Sequence, residues 1–161
     1  MDKKISLYLY GLTEKYPIFK NIIIYLNKLS SVFYKLIYFC VFLYLLIKKD
    51  SYIIPYLFFP FITLVLVKFS QRLFKRCRPF AALKKEPLIF HKNSGSFPST
   101  HSACSMIIAL YTAYIFPKSG FILIPMAVIT GLARIAALLH YTSDVISGFF
   151  IAIFIFFIST F

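Results

Sequence analysis

The chain has 161 residues, of which 60 % are hydrophobic, and its mean hydropathy is +0.82. That excludes an ordinary soluble domain, because a chain this small lacks the polar surface to cover so many Phe, Ile, Leu and Tyr side chains. Lys and Arg number 18 against 5 acids, a net charge of +13, yet the cations flank apolar runs; nucleic acid is therefore not the expected partner, which leaves anionic headgroups, phosphate substrates or the usual basic flanks of membrane helices.

Residues 1–31 mix Ile22, Ile23, Ile24 and Leu26 with Lys15, Lys20 and Lys28. The apolar run is too short to span easily, so an amphipathic helix lying in the interface is expected, with a short first span as the alternative. The opening "MDKKISLYLYGLTEKYP" shows no small-residue cleavage site, and no removed signal peptide is expected.

A helical span needs about 20 residues, fewer where the bilayer adapts. Segments 32–48, 52–70, 100–116, 119–138 and 143–161 meet that demand. "KKDS" joins the first two as a tight antiparallel hairpin, "FPKSG" joins the third and fourth, and "LLHYTSD" joins the fourth and fifth. The expected fold is an all-α integral membrane helical bundle, one domain over 1–161 without internal repeats. Cys40, Cys77 and Cys104 are odd in number, widely spaced and without metal-type spacing.

Segment 71–99, "QRLFKRCRPFAALKKEPLIFHKNSGSFPS", is the one long polar stretch, punctuated by Pro79, Pro87, Gly95 and Pro98. It exceeds the length of a mere connector. With five spans, it and the "LLHYTSD" turn fall on the same membrane face, where their polar residues can converge.

Three pieces of sequence carry chemistry. In "GLARIAALLHYTSD", Asp144 follows His140 by one helical turn, so a carboxylate can fix the imidazole tautomer and stabilise its cation. The same pair also reads as an interfacial His and a helix N-terminal Asp favoured by the dipole. Arg134 can snorkel to headgroups or clamp phosphate oxygens. In "FPSTHSA", Ser99 and Thr100 open the third span, where free N–H groups bind anions, and His101 stands in its first turn; a plain cap with a solvated His is the bland reading. In "KRCRPF", Arg78 is held before Pro79, with Arg72, Lys75 and Arg76 nearby, and any one of these can be a basic flank. Together the pieces supply charge clamps, a nucleophile and a general acid, the inventory of phosphoryl transfer.

The three pieces, in this order and spacing, resemble the type 2 phosphatidic acid phosphatase superfamily. Its signature is a Lys, six residues and Arg-Pro; then Pro-Ser-Gly-His; then Ser-Arg, five residues, His, three residues and Asp. Here these are "QRLFKRCRP", "PSTH" and "ARIAALLHYTSD", within residues 71–144. The resemblance implies that His140 is the nucleophile, that Asp144 orients it, and that His101 protonates the leaving oxygen and then activates water. It also implies that Arg78, Arg134, Ser99 and the backbone near Thr100 hold the phosphate. Three positions depart: Thr100 stands for Gly, Ala133 for Ser and Gln71 for Lys. Lys75, one turn beyond Gln71 if the helix continues, or Arg72 is expected to replace the missing charge. The family core has six spans with its first motif after the third; here that motif follows the second of five.

The resemblance implies a membrane enzyme that hydrolyses a lipid phosphate or diphosphate through a phosphohistidine, with no cofactor, no metal and no obligatory protein partner, and with its site on the extracytoplasmic face. Candidate substrates are polyprenyl diphosphate, phosphatidic acid, phosphatidylglycerophosphate and lipid A phosphate. A lipid phosphotransferase and a non-catalytic lipid-phosphate binder are the rival readings. The basic residues gathered on the motif face oppose the expected orientation under the positive-inside rule.

Overall fold

The structure, a computed structural model, describes residues 2–160, so Met1 and Phe161 at the end of the last expected span lie outside the described residues. Among these the regular elements are all helical: α1 (Asp2–Lys15), α2 (Pro17–Lys48), α3 (Ile53–Phe74), the short α4 (Pro79–Ala82), α5 (Thr100–Ile115), α6 (Gly120–Ala136) and α7 (Thr142–Thr160). Four stretches are long and apolar enough to cross a membrane: 17–48, 53–82, 117–136 and 142–160. The remaining expected span, 100–116, is α5, which has only 16 residues. It lies at the centre, packed on α3, α6 and α7. Large side chains such as Leu36, Phe39, Phe58, Phe61, Phe121 and Phe154 are exposed on the outer faces of α2, α3, α6 and α7, as a lipid solvent demands.

One boundary differs from the sequence reading. Residues 17–31 do not belong to an interfacial helix that ends at 31; they are the first half of α2. Pro17 sits at the first helical position, after an extended Tyr16, and no Pro or Gly interrupts the next thirty residues, so Lys20 and Lys28 interrupt the apolar run without interrupting the helix. The interfacial candidate is thereby confined to α1. Tyr10 Oη donates to the Glu86 carbonyl at 3.0 Å and Lys85 pairs with Glu14 at 3.3 Å, so α1 rests on the 84–88 loop.

The α2–α3 hairpin closes as expected. Lys49 adopts a left-handed cap (φ 52), Asp50 N–H returns to the Leu45 carbonyl, and the Asp50 carboxylate accepts from Tyr52 N–H. At the opposite end of the bundle, main-chain bonds tie the motif segment to the α6–α7 turn. Phe80 N–H donates to Leu138 O at 3.2 Å, Leu88 N–H to Ala137 O at 3.4 Å, and Ser99 N–H to Asp144 O at 2.9 Å. Gly148 lets α7 approach the start of α5, where an added Cβ would meet the Ser99 carbonyl at 2.8 Å.

Candidate active site

The turn after α6 places the imidazole. Leu138 takes a left-handed conformation (φ 58), and the Leu139 and His140 amides donate back to the Arg134 carbonyl. His140 is left fully inside, 2 % exposed. Its Nδ1–H donates to the Ser96 carbonyl at 2.8 Å, and Asp144 Oδ2 stands 3.6 Å from the same nitrogen. With Nδ1 carrying the proton, Nε2 presents a lone pair. Burial, helped by the Arg78 and Arg134 charges and opposed by Asp144, pushes this imidazole down to about 4, so it is neutral at pH 7.

Arg78, 3 % exposed, spans the two halves of the site. Its Nε donates to Ser94 O at 3.1 Å, and its Nη1 donates to Leu139 O at 2.9 Å and lies 3.2 Å from His140 Nε2. Arg134, 4 % exposed, is not a snorkelling residue. Its Nη2 donates to Ser31 Oγ at 2.7 Å and to Asn27 O at 3.2 Å on α2, and its Nε has no partner among the described residues. The charges of Arg78 and Arg134 both act on His140, and that of Arg134 also reaches His101. The α5 terminus is the third wall. Ser99 is its N-cap, fully buried, accepting from Ser102 N–H and Oγ–H, while Thr100 and His101 fill the first turn.

Asp144 is fully buried, and its strongest partner is not His140. Oδ1 accepts from Arg76 Nη1 at 2.6 Å, and Oδ2 accepts from Tyr141 N–H at 2.9 Å. Arg76 lies 4.2 Å over the Tyr141 ring and also pairs with Asp2 at 3.0 Å, and Asp2 in turn accepts from Ser143 N–H and Oγ–H. The site therefore contains residues that the sequence did not mark: Ser96 as the acceptor for the imidazole, Arg76 as the partner of the carboxylate, and Asp2 at the start of α1. The only signal for Arg76 was its place in the basic run beside Arg78.

Gln71 and Lys75 do not share a helix face. Gln71 is 7 % exposed, and its Nε2 donates to Pro98 O at 2.7 Å and Thr100 Oγ1 at 2.9 Å, so its amide braces the segment that opens α5. Gly95 packs on the Gln71 carbonyl with no room for a Cβ. Lys75 does not continue the Gln71 face: α3 ends at Phe74, and Lys75 is the left-handed cap (φ 46). Lys68, one turn before Gln71, is the cation that reaches its Oε1, at 3.5 Å. Lys68, Arg72, Lys75 and Arg76 all line an open cleft of about 710 Å³ bounded by Ser94 and Gly95. No group of His, Cys, Asp or Glu among the described residues is arranged to hold a metal ion.

The sequence pattern of the PAP2 superfamily matches residues 52–160. The undecaprenyl-diphosphatase BcrC of Bacillus subtilis (strain 168) is 25 % identical over 155 residues, covering 96 % of this chain and 80 % of that protein. The crystal structure of Aquifex aeolicus LpxE superposes with a TM-score of 0.77 at 26 % identity, covering 96 % of this chain and 93 % of that one. A PAP2-type phosphatidylglycerolphosphate phosphatase from Bacillus subtilis shares the fold, with a TM-score of 0.79 at 23 % identity over 99 % of this chain and 82 % of that one. A family pattern that spans most of the chain, laid over a site built from the same three segments, means that the chain belongs to the PAP2 superfamily and is a membrane phosphatase of that family.

Proposed function

We propose that this protein hydrolyses a lipid phosphate or diphosphate through a phosphohistidine formed on His140 Nε2. The observation that carries the reading is the hydrogen bond from Nδ1 to Ser96 O, which leaves the Nε2 lone pair facing Arg78. Nε2 attacks phosphorus as the bond to the leaving oxygen breaks. His101 gives that oxygen its proton, then takes one from the water that attacks the phosphohistidine, and inorganic phosphate leaves. Arg78, Arg134, Ser99 and the first N–H groups of α5 hold the equatorial oxygens, where charge grows in the transition state. As Nε2 gains phosphorus the ring becomes cationic, and the Ser96 carbonyl and Asp144 stabilise it. Lys68, rather than Lys75, is the cation that stands in for the family lysine absent at position 71.

The name of one relative, an undecaprenyl-diphosphatase, supports a lipid diphosphate among the substrates. The test is phosphate release from a panel of purified lipid phosphates, with acid-quenched enzyme examined for an acid-labile, base-stable phosphoryl adduct. His140→Ala is expected to abolish both turnover and the adduct while the protein still inserts. Turnover that survives His140→Ala, or phosphate release that depends on a second lipid acceptor, overturns the hydrolytic reading. By the family resemblance, the site opens on the extracytoplasmic face.

A further inference from the structure

Arg134 is buried in the last turn of α6, and among the described residues no carboxylate lies within ion-pair distance of it. A buried guanidinium without a counter-ion is costly, so its place asks for an anion, and a phosphate is what the reaction brings. The groups that hold the guanidinium are neutral. Both come from α2 and both take Nη2: Ser31 Oγ at 2.7 Å and the Asn27 carbonyl at 3.2 Å. Nε, also buried, has no acceptor among the described residues. A carboxylate in place of Ser31 would fix the side chain as firmly but cancel the charge that a transition state needs. A hydroxyl and a carbonyl fix its direction and leave the charge whole.

The Ser31 hydroxyl is itself oriented. Its hydrogen goes to the Asn27 carbonyl at 3.0 Å, so its lone pairs face the guanidinium. Asn27 lies one turn earlier on the same face of α2 and is 2 % exposed. Its Nδ2 donates to Ile23 O and to Ala133 O, each at 2.9 Å, and Ala133 immediately precedes Arg134. Further along α2, Tyr34 Oη donates to the Leu123 carbonyl at 2.6 Å. These two bonds pin α2 to α6 on either side of Ser31 and set the register that brings its hydroxyl to Arg134. Residues 27–34 lie outside the stretch that the PAP2 pattern matches, 52–160.

We propose that Ser31, held in register by Asn27, is a positioning residue that aims Arg134 at the phosphate undergoing transfer. The inference rests on the reading of Arg134 as a phosphate clamp given above. Ser31 touches neither the substrate nor the reacting atoms and acts through Arg134. With Nη2 tied to α2, the guanidinium keeps one orientation before substrate arrives, and Nε–H is presented to an equatorial oxygen without a search among rotamers.

The experiment uses the full chain, purified in detergent, and whichever of phosphatidic acid, phosphatidylglycerophosphate, lipid A phosphate and a polyprenyl diphosphate the wild type cleaves fastest. Orthovanadate, which takes the pentacoordinate shape of the transferring phosphorus, reads the clamp apart from turnover. Ser31→Ala is expected to lower kcat/KM about tenfold, mainly through kcat, and to raise the vanadate inhibition constant by a similar factor. Ser31→Thr keeps the acceptor and is expected to restore both. Ser30→Ala removes a neighbouring hydroxyl from the same Asn27 carbonyl without touching Arg134, and should match the wild type. In an Arg134→Lys background, where no Nη2 remains to be held, loss of Ser31 should change kcat/KM by less than about twofold. A general weakening of the bundle would lower it by the same factor in either background. A Ser31→Ala loss that persists undiminished beside Arg134→Lys, or an unchanged kcat/KM and vanadate constant in Ser31→Ala, overturns the role of Ser31 and leaves the phosphatase reading standing. Should Ser31→Ala fail to fold, Ser31→Cys, of similar shape and a weak acceptor, carries the same expectations. A wild type that releases phosphate from none of these lipids sinks the phosphatase reading, and this inference with it.

Discussion

Replacing Gln71 by Leu separates bracing from charge. The side chain is nearly as large and wholly apolar, so packing against Gly95 and Pro98 is kept. The substitution deletes hydrogen bonds of 2.7 Å to Pro98 O and 2.9 Å to Thr100 Oγ1. Each is worth about 1 kcal/mol net, and the Pro98 carbonyl, left buried and unpaired, adds about 1–3 kcal/mol. The expected destabilisation is therefore about 3–5 kcal/mol, with kcat reduced because Thr100 and His101 lose their anchor, and with KM little changed. Lys68→Met should do the opposite: stability within about 0.5 kcal/mol of wild type, and kcat/KM lower by about tenfold through lost charge at the phosphate. Thermal and denaturant unfolding in detergent, together with steady-state kinetics on one lipid phosphate, read both. If Gln71→Leu is as stable as the wild type but raises KM sharply, the amide serves the substrate and the bracing argument is wrong.

Asp2→Asn leaves the Arg76 charge to Asp144 alone and draws that carboxylate further from His140; kcat should fall about fivefold at constant KM, and Asp2→Glu should restore it. The His140 imidazole titrates at about 4 in the fold, below its usual 6.5. The unfolded chain therefore takes its proton first, and stability present above pH 6.5 is lost as pH falls towards 4, on the order of 2 kcal/mol by pH 5. His140→Asn should flatten that slope in unfolding experiments at pH 7.5 and 5. For orientation, a Cys at Ser94 should react with an impermeant reagent outside intact cells while one at Lys118 does not, and the reverse pattern would place the site in the cytoplasm.

How much of this was legible in the sequence depended on what fixes each residue. The expected convergence of Arg78, His101, Arg134 and His140 follows from helix ends, whose side chains point where the backbone aims them. The bundle followed from apolar runs, since a bilayer leaves the backbone few options. The start of α2 was misplaced because hydropathy drops at Lys20 and Lys28, whereas helix continuity depends on breakers, and none occurs there. Gln71 was placed among the phosphate-binding residues by its position in the first motif, but a type of side chain does not say which way its amide turns; the fold of 94–100 decides that. The end of α3 before Lys75 was not legible, because a left-handed cap ends a helix there without a Gly or Pro to announce it. The Asp2–Arg76 pair joins residues 74 positions apart, beyond the reach of any local pattern.

The main-chain ties between the motif segment and the α6–α7 turn bear on how such a sequence can drift. Phe80, Leu88 and Ser99 give their amides to main-chain carbonyls at that turn and the start of α7, and Ser96 receives the imidazole on its carbonyl. Those bonds are indifferent to side-chain identity, so Thr can stand for Gly at 100 and Ala for Ser at 133 without dismantling the frame. They are not indifferent to chain length: one residue gained or lost between Ala137 and Asp144 would shift every partner out of register. A lineage of this enzyme is thus free in its letters and constrained in its spacing.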